Sequence, residues 1–326
     1  MEQVTAIVPH ANRRDLLESL LENLASQTHP FAEVIVVDNG SSDDSARVAA
    51  RAGARFVPLG SNLGFSRAVN CGVGHGRTPW VAVINNDVEL DPAWLERLLA
   101  AAGGSDAWFA TGKTFRRDGT GLLDGTWDAL ARSGCAWRCG ADRADSEAWS
   151  RPRRIRFAPF TAVLLRREIF ERVGDLDEGF ESYLEDVEFG LRCAIAGLEG
   201  VYVPEAVARH RGSATLGVWH GETVRRIARN QLLLVARHYP GDWLLRCGWA
   251  VLVGQLLWGG VALRHGAFGA WLGGKREAVA GWKQNRRRST AAGELYRILG
   301  ASEDEIRRLQ RQTGTDWYWK LYFALT

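Results

Sequence analysis

The segment Val34-Ile35-Val36-Val37-Asp38-Asn39-Gly40-Ser41 sets the pattern from which the rest of the chain can be interpreted. Its four β-branched residues predict a short buried strand, and the Asp-Asn-Gly sequence that follows predicts a turn. The arrangement recurs downstream, where the apolar run from Trp80 ends at Asn85-Asn86-Asp87. Two buried strands that end in carboxylates and amides indicate a ligand site at the carboxyl edge of a sheet.

Strands and helices alternate outward from this segment. The predicted strands are Val4–Pro9, 34–37, Arg55–Pro58 and Trp80–Asn85, and the predicted helices are about 14–26, 44–53, 65–74 and one that begins at Pro92 with Asp91 as its cap. This alternation predicts an α/β fold with a mostly parallel, doubly wound sheet. Further along we expect a strand at Phe157–Leu165, helices at 167–173 and 185–196, and a strand Val201-Tyr202-Val203 that Pro204 closes.

The composition limits the class of protein. Of 326 residues, 46% are apolar and 24% charged, which excludes a disordered, collagenous or multi-span membrane chain. The net charge of +3 gives no indication of nucleic acid as a partner. The five scattered cysteines complete no zinc pattern and are expected to be buried free thiols of a reducing cytosol. The first residues have neither the basic nor the apolar region of a signal peptide.

The charge is unevenly distributed. From Arg225 to Arg288 there are 12 basic and 2 acidic residues, and 8 of the 14 tryptophans follow residue 215. This pattern predicts that the last third contacts an anionic membrane surface. Cys247–Leu263 holds 17 residues without a formal charge between Arg246 and Arg264. Positive flanks on both sides favour a helix in or on the inner leaflet, with a buried soluble helix and a true span as the alternatives.

Several polar motifs have the residue types that a nucleotide-sugar site needs. Asp38 and Asn39 can hydrogen-bond a base and a ribose, and Asn62-Leu63-Gly64 lets the backbone approach a ligand, with Arg67 one turn into the following helix. Asp87 suits a hard divalent cation. Each motif by itself also fits a turn, a helix start or a loop. His210, between Arg209 and Arg211, suits contact with phosphate, although a lone histidine is more often structural.

The ordered set of motifs resembles family 2 glycosyltransferases of the GT-A fold, and within them the rhamnosyltransferase-like bacterial enzymes of polysaccharide and cell-envelope assembly. The resemblance covers about residues 3–215. It is carried by Ile7-Val8-Pro9 with Asn12-Arg13, Val36-Val37-Asp38-Asn39-Gly40-Ser41, Asn62-Leu63-Gly64-Phe65, Asn85-Asn86-Asp87-Val88, Leu176-Asp177-Glu178, Glu185-Asp186-Val187-Glu188 and Val203-Pro204-Glu205-Ala206 with His210.

The resemblance implies an inverting transfer of a sugar from a nucleotide diphosphate sugar, such as dTDP-rhamnose or a UDP-sugar, to a glycan or lipid-linked acceptor. It implies Mg²⁺ or Mn²⁺ as cofactor, held by Asp87 and His210, with Asp186 as general base and Glu185 orienting the acceptor. The nucleotide sugar would be bound by Pro9, Asn12, Asp38, Asn39, Asn62, Gly64, Arg67, Asn85 and Asn86.

The domain prediction combines this resemblance with the charge and tryptophan content of the last third. We expect a GT-A domain at 1–215, with the nucleotide-sugar half at about 1–100 and the acceptor half at 101–215, and a helical, membrane-associating extension at 216–326. The protein is then expected in the cytoplasm, peripheral or monotopic on the inner face of the plasma membrane. A non-catalytic nucleotide-sugar-binding subunit is the alternative. A dinucleotide-dependent oxidoreductase is disfavoured because the first strand lacks a following Gly-x-Gly-x-x-Gly turn.

Three departures from the family pattern accompany the resemblance. Asn85 replaces the first Asp of the metal motif, His10-Ala11 replaces the usual Thr-Tyr, and Ala158-Pro159-Phe160-Thr161 replaces a Gly-Ala stretch on the acceptor side. The last departure bears on the acceptor more than on the chemistry.

Overall fold

The computed structural model describes residues 2–212, 219–287 and 292–326. The chain divides into two compact units. The first comprises residues up to 127 and 140–212, and the second comprises 128–139 and the described residues after 212. The predicted boundary near residue 215 and the predicted flanking cation Arg288 lie outside the described residues.

The secondary structure alternates through the first half of the chain and is helical in the last third. The strands are β1 (Val4–His10), β2 (Glu33–Asp38), β3 (Arg55–Pro58), β4 (Trp80–Ile84), β5 (Val88–Leu90), β6 (Phe109–Arg116), β7 (Leu123–Gly125), β8 (Asp128–Leu130), β9 (Ala136–Arg138), β10 (Arg153–Ile155), β11 (Ala162–Arg166) and β12 (Gly200–His210). The helices are α1 (Arg14–Ala25), α2 (Ser45–Arg51), α3 (Phe65–His75), α4 (Trp94–Gly104), α5 (Glu168–Val173), α6 (Glu185–Ile195), α7 (Gly221–His238), α8 (Gly241–Arg264), α9 (Phe268–Ala280), α10 (Trp282–Asn285), α11 (Ala292–Thr313) and α12 (Trp317–Leu325).

The first unit is built on one mixed sheet. Its strand order is β10-β12-β6-β11-β4-β1-β2-β3, with β5 paired to β12 and β7 to β6. The strands β4, β1, β2 and β3 are parallel neighbours, whereas β11 runs antiparallel to both β4 and β6. The predicted α/β fold with a mostly parallel sheet is confirmed.

Helices cover both faces of the parallel strands because alternate residues of β1 point to opposite sides. Ala6 and Val8 join a core with the leucines of α1 and α4. On the other face, a Cβ at Gly72 of α3 would lie 2.4 Å from Cγ2 of Ile7, so α3 packs close to the sheet there. The doubly wound arrangement brings the carboxyl ends of β1, β2 and β4 to one edge.

Two predicted strands differ from the observed ones. β12 does not end at Pro204 but continues to His210, and its pairing with β6 shifts register between Val203 and Val207. A proline has no N–H for the ladder, and a bulge is where a sheet tolerates it. β11 begins at Ala162, so residues 157–161, apolar enough to predict a strand, form an irregular segment instead.

The second unit contains the hairpin β8–β9 and helices α7–α12. α7, α8 and α9 pack around Val224, Ala228, Ala262 and Trp271. Within the described residues one segment, Cys247–Arg264, is long and apolar enough to cross a membrane, and 39% of it is buried inside the protein. The five cysteines are free, and Cys135, Cys139 and Cys193 are buried, while Cys71 and Cys247 are half-buried.

Candidate active site

The carboxyl ends of β1 and β2 carry the first predicted site residues. Asp38 is buried, and its carboxylate accepts hydrogen bonds from the backbone N–H and the hydroxyl of Ser41. Asn12, in a left-handed conformation with φ of 54°, accepts from the backbone N–H of Ser42 at 3.0 Å. Pro9 pairs with Val37 one residue before the strand ends. Asp38 and Asn12 therefore fix the turn that follows β2 from two sides.

The side chain of Asn39 forms hydrogen bonds with the loop before α3. Its Nδ2 donates to the carbonyl of Gly64 at 3.1 Å, and its Oδ1 accepts from the N–H of Leu63 at 3.2 Å. Asn62 in turn accepts from the N–H of Gly64. The predicted binding motifs at 38–39 and 62–64 are thus brought together, with the amide of Asn39 joining them.

The same loop meets the segment that leads into α6. The N–H of Ser66 donates to the carbonyl of Glu181 at 3.0 Å, and the N–H of Phe65 donates to Oγ of Ser182 at 3.3 Å. Arg67 is exposed and forms an ion pair with Glu178 at 3.0 Å. The first N–H groups of α3 therefore bind this segment, and Arg67 is turned toward Glu178.

The backbone just before α6 is strained. Glu181, Tyr183 and Leu184 have φ values of 59°, 72° and 67°. Residues other than glycine rarely adopt these backbone conformations. Such conformations cost on the order of 1–3 kcal/mol each and persist only where the surroundings enforce them. The N–H groups of Ser66 and Phe65 bind this segment at Glu181 and Ser182, and the segment leads directly into Glu185 and Asp186 at the start of the helix.

The end of β4 is fixed by hydrogen bonds on two sides. The N–H of Asn85 donates to the carbonyl of Thr161 at 2.9 Å. Nδ2 of Asn86 lies 2.9 Å from Nδ1 of His10, whose Nε2 lies 2.7 Å from Oγ of Ser45. Burial lowers the pKa of His10, although Asp38 acts in the opposite direction. A neutral His10 that accepts from Asn86 and donates to Ser45 satisfies both contacts.

Asp87 is buried and faces His210 at the end of β12. Its Oδ1 lies 3.1 Å from Nε2 of His210, and Nδ1 of His210 lies 3.0 Å from Oδ2 of Asp124. Burial by itself would lower the pKa of His210, but hydrogen bonds to Asp124 and Asp87 outweigh it and raise the pKa to about 9. The predicted pair Asp87 and His210 is therefore adjacent, with Asp124 as a third member.

These residues fit a divalent cation that takes its remaining ligands from a substrate. Among the residues that the structure describes, no group of three or more His, Cys, Asp or Glu side chains could hold a metal ion by itself. Hard cations such as Mg²⁺ commonly use one or two carboxylates together with substrate phosphates, and Asp87 offers a buried carboxylate of that kind. Coordination by His210 would require the neutral imidazole, so a cation would replace its proton.

Asp186 and Glu185 begin α6, and both are buried. One carboxylate oxygen of Asp186 lies 3.4 Å from the N–H of Phe160, and the other accepts from the N–H of Val187 at 2.8 Å. Phe160 precedes Thr161, whose carbonyl binds Asn85. The irregular segment 157–161 thus connects Asp186 to the strand end that carries Asp87.

Three contributors were not among the predicted site residues. Asp124 lies in β7, within residues 103–155, where the sequence gives no periodic signal from which a strand could be predicted. His10 was visible only as a departure from the family pattern, and its link to Asn86 explains what the imidazole does there. Glu178 stands in a quoted motif, but nothing in the sequence indicates that it pairs with Arg67.

The comparison with protein families decides the assignment. Residues 5–174 match the family described as Glycosyl transferase family 2. The chain belongs to this family. It is a glycosyltransferase, and the resemblance seen in the sequence is confirmed.

This family 2 glycosyltransferase is similar in sequence to proteins named for roles in polysaccharide synthesis. It is 28% identical over 261 residues to N-acetylglucosaminyl-diphospho-decaprenol L-rhamnosyltransferase of Mycobacterium tuberculosis, covering 72% of this chain and 84% of the relative. It is 30% identical over 227 residues to an O-antigen biosynthesis protein of Myxococcus xanthus, covering 65% of this chain but 18% of that larger protein.

Solved structures support the GT-A fold of the glycosyltransferase. A mannosyltransferase from Pyrobaculum calidifontis, solved with GDP-mannose and Mn²⁺, aligns with a TM-score of 0.54 at 17% identity over 99% of this chain and 86% of that one. GalNAc-T7, solved with UDP, GalNAc and Mn²⁺, aligns with a TM-score of 0.63 at 14% identity over 96% of this chain and 58% of that one.

Proposed function

We propose that this glycosyltransferase catalyses an inverting transfer of a sugar, with L-rhamnose from dTDP-rhamnose as the first donor to test and a UDP-sugar as the second. The acceptor is a hydroxyl of a lipid-linked glycan. The rhamnosyltransferase relative of M. tuberculosis, whose name states a diphospho-decaprenol acceptor, supports this choice. The reaction belongs to envelope polysaccharide synthesis, as the O-antigen relative also suggests.

One observation carries the proposal. Asp186 accepts from the N–H of Phe160, and the carbonyl of the adjacent Thr161 accepts from the N–H of Asn85. The buried carboxylate of Asp186 is therefore linked to the end of β4. A second carboxylate, Asp87, follows that strand end and faces His210. An inverting displacement needs a base on the acceptor side and charge neutralisation at the leaving diphosphate. The two carboxylates are available for these separate roles.

Asp186 would remove the proton from the acceptor hydroxyl as it attacks the anomeric carbon, and Glu185 would orient that hydroxyl. Asp38 would bind the base and ribose, and the backbone at 62–64, held by Asn39, would line the nucleotide. Asp87 and His210 would hold Mg²⁺ or Mn²⁺, which when bound supplies positive charge to the diphosphate. Asn86, oriented by His10, would contact the donor from the β4 side.

The location follows from the acceptor. A lipid-linked acceptor is held in a membrane while nucleotide sugars are cytoplasmic solutes, so we place the protein on the inner face of the plasma membrane, peripheral or monotopic. An anionic lipid surface is then its partner. The basic balance of residues 225–288 supports this.

The test is product formation with defined substrates. Purified protein, Mn²⁺ or Mg²⁺, a nucleotide sugar and a short-chain N-acetylglucosaminyl-diphospho-prenol are incubated, and the released nucleoside diphosphate and the elongated lipid are measured. Transfer of rhamnose supports the proposal. Transfer from a UDP-sugar alone would change the donor, and no transfer with any donor to this acceptor would overturn the acceptor class.

A further inference from the structure

The second unit exposes large apolar side chains on two neighbouring helices. Trp249, Leu252, Leu256 and Leu263 of α8 are between 49% and 63% exposed. Their spacings of three, four and seven residues put them on one side of the helix, along about 21 Å of its axis. On α12, Trp317, Leu321 and Leu325 are between 38% and 52% exposed and follow one another every fourth residue. We name these seven residues the outer apolar face.

The two rows are continuous because α8 and α12 lie side by side in opposite directions. Nε1 of Trp249, in the first half of α8, donates to the carbonyl of Leu325 at the end of α12 at 2.9 Å. A Cβ at Gly260, near the end of α8, would lie 3.4 Å from the ring of Trp317 at the start of α12. Between these points the hydroxyl of Tyr318 donates to the carbonyl of Gly254 at 3.2 Å.

The other side of α8 packs against the rest of the second unit. Ala250, Val253 and Ala262 are buried. Gln255, also buried, donates through Nε2 to the carbonyl of Ser133 at 2.8 Å and accepts at Oε1 from the ammonium of Lys275. A lone spanning helix would meet lipid on all sides, whereas α8 presents one apolar side and hydrogen-bonds through the other. That geometry suits a helix lying along a surface.

The charges beside the outer apolar face select an anionic bilayer as its occupant. Arg264 follows Leu263 and Lys320 precedes Leu321; both are exposed, and neither forms an ion pair with any described residue. Residues 247–264 and 317–325 contain no Asp or Glu. Trp249 and Trp317 add indole rings, which favour the bilayer interface, and long cationic side chains can reach the headgroups from an apolar face.

We propose that the outer apolar face enters the interfacial layer of an anionic bilayer, with the axes of α8 and α12 parallel to the membrane plane. This rests on the membrane location in the proposed function, but not on the chemistry of transfer. It specifies the residues that enter the lipid and decides between the alternatives left open by the sequence, in favour of an in-plane helix and against a span.

Flotation with vesicles tests the surface. Full-length protein is mixed with vesicles of phosphatidylcholine and phosphatidylglycerol, or of phosphatidylcholine alone. The matched variants are Leu256→Glu, within the face, and Val279→Glu, which puts the same charge on an exposed apolar residue of α9 outside it. We expect Leu256→Glu to reduce partitioning into anionic vesicles at least about tenfold, because one buried leucine is lost from lipid. Val279→Glu should float like the unmodified protein.

Depth measurement tests the orientation. Spin labels are attached at Leu252→Cys or Leu263→Cys in a chain carrying Cys71→Ser and Cys247→Ser, where the buried cysteines stay unlabelled. Eleven residues separate the two positions, about 16 Å along the helix axis. Equal depths support the in-plane arrangement, and depths that differ by that distance would overturn it in favour of a span.

The remaining outcomes separate this inference from its alternatives. Equal flotation of Leu256→Glu and Val279→Glu would overturn it. A dimer in solution that Leu256→Glu converts to a monomer, with vesicle binding unchanged, would assign the face to a second copy of this chain. Flotation as expected without any glycosyl transfer would support the membrane surface and overturn the proposed function. Transfer to the short-chain N-acetylglucosaminyl-diphospho-prenol without flotation would support the proposed function and overturn the membrane surface.

Discussion

Oδ1 of Asp87 and Nε2 of His210 lie 3.1 Å apart, and the imidazole turns its other nitrogen to Asp124. The carboxylate at the end of β4 and the histidine at the end of β12 therefore meet, although 123 residues separate them in sequence. The extension of β12 to His210 makes this possible, since its last residues pair with β5 directly after Asp87.

Activity should depend on a divalent cation through Asp87. EDTA is expected to abolish transfer, and Mn²⁺ or Mg²⁺ to restore it. Asp87→Ala should lower kcat/KM at least about 10²-fold, because charge neutralisation at the leaving group contributes several kcal/mol. Thermal unfolding measured alongside should show that the variant is folded. Full turnover in EDTA, or a fully active variant, would contradict the metal role.

Replacing Gly64 should impair donor binding because a side chain there would clash with the backbone of Glu181, an effect that can be separated from backbone strain. Gly64→Ala places a Cβ 2.8 Å from the carbonyl of Glu181 at a φ of +91°. Gly60→Ala in the same loop has a φ of +78° but open space around the new atom. Both variants should lose about 1–3 kcal/mol of stability. Only Gly64→Ala should also weaken donor binding, measured by calorimetry, and equal donor affinity in the two variants would argue against the contact.

His10 is expected to act on the donor through Asn86. His10→Phe removes the acceptor of the Asn86 amide. Ser45→Ala keeps that acceptor and removes the partner of the other ring nitrogen, together with the hydrogen bond from the Ser45 hydroxyl to Asp43. The KM for the donor should therefore rise more in His10→Phe than in Ser45→Ala. A double-mutant cycle with Asn86→Ala should give a coupling energy of about 0.5–3 kcal/mol. Additive effects in that cycle would mean that the two side chains act independently.

The stability of the second unit should depend on pH through Lys275. Its ammonium donates to the carbonyl of Ala228 at 2.7 Å, to Gln231 and to Gln255, yet burial lowers its pKa from 10.5 to about 7. Between these values the unfolded chain binds more protons than the folded one, so the free energy of unfolding rises with pH, by at most about 1.4 kcal/mol per pH unit. Below pH 7 this contribution to the slope vanishes.

Urea unfolding at several pH values between 7 and 10 measures that slope. Lys275→Met should flatten it, while Lys283→Met, which changes an exposed lysine of α10, should leave it as it is in the unmodified protein. Parallel profiles for the unmodified protein and Lys275→Met would place the pH dependence elsewhere.

The sequence predicted the parallel half of the fold well, because β1, β2 and β4 are continuous apolar runs and α1 has its leucines at helical spacing. It predicted poorly where tertiary contacts override local pattern. Residues 157–161 are apolar but leave the sheet to bind Asp186 and Asn85, and Pro204 sits in a bulge that no local signal reveals.

The candidate site was predictable to the same degree. Pro204 predicts an early end of β12, so the sequence does not place His210 at a strand end. The positions of Asp38, Asp87 and Asp186 at strand or helix ends follow from their motifs. The hydrogen-bond partners do not, since Asn39 with Gly64, His10 with Asn86 and Asp124 with His210 are joined only when the sheet folds. Sequence motifs thus predict which residues carry chemistry, and the fold shows which side chains hold these residues in place.

The last prediction concerns the general base. The acceptor hydroxyl must lose its proton as it attacks, and Asp87 is unsuited because it faces His210, where we propose that the cation and the diphosphate bind. Asp186→Asn keeps the size of the side chain and an oxygen for the N–H of Phe160 but removes basicity. It should lower kcat about 10²–10⁴-fold with donor affinity nearly unchanged. It should also cost about 1–3 kcal/mol of stability, because the oxygen that accepts from the N–H of Val187 becomes an amide NH₂. Steady-state kinetics, calorimetry and thermal unfolding measure these three quantities.

Two other carboxylates of α6 serve as controls. Glu188 is fully buried, and its carboxylate lies 2.9 Å from the half-buried guanidinium of Arg192, so Glu188→Gln leaves that cation uncompensated and should lower stability rather than the kcat of the folded enzyme. Glu185→Gln tests the rival base, since adjacent residues of a helix point about 100° apart and only one can face the acceptor oxygen. If Glu185→Gln is inactive while Asp186→Asn turns over normally, the two roles are exchanged. If both turn over normally, the base lies outside this helix.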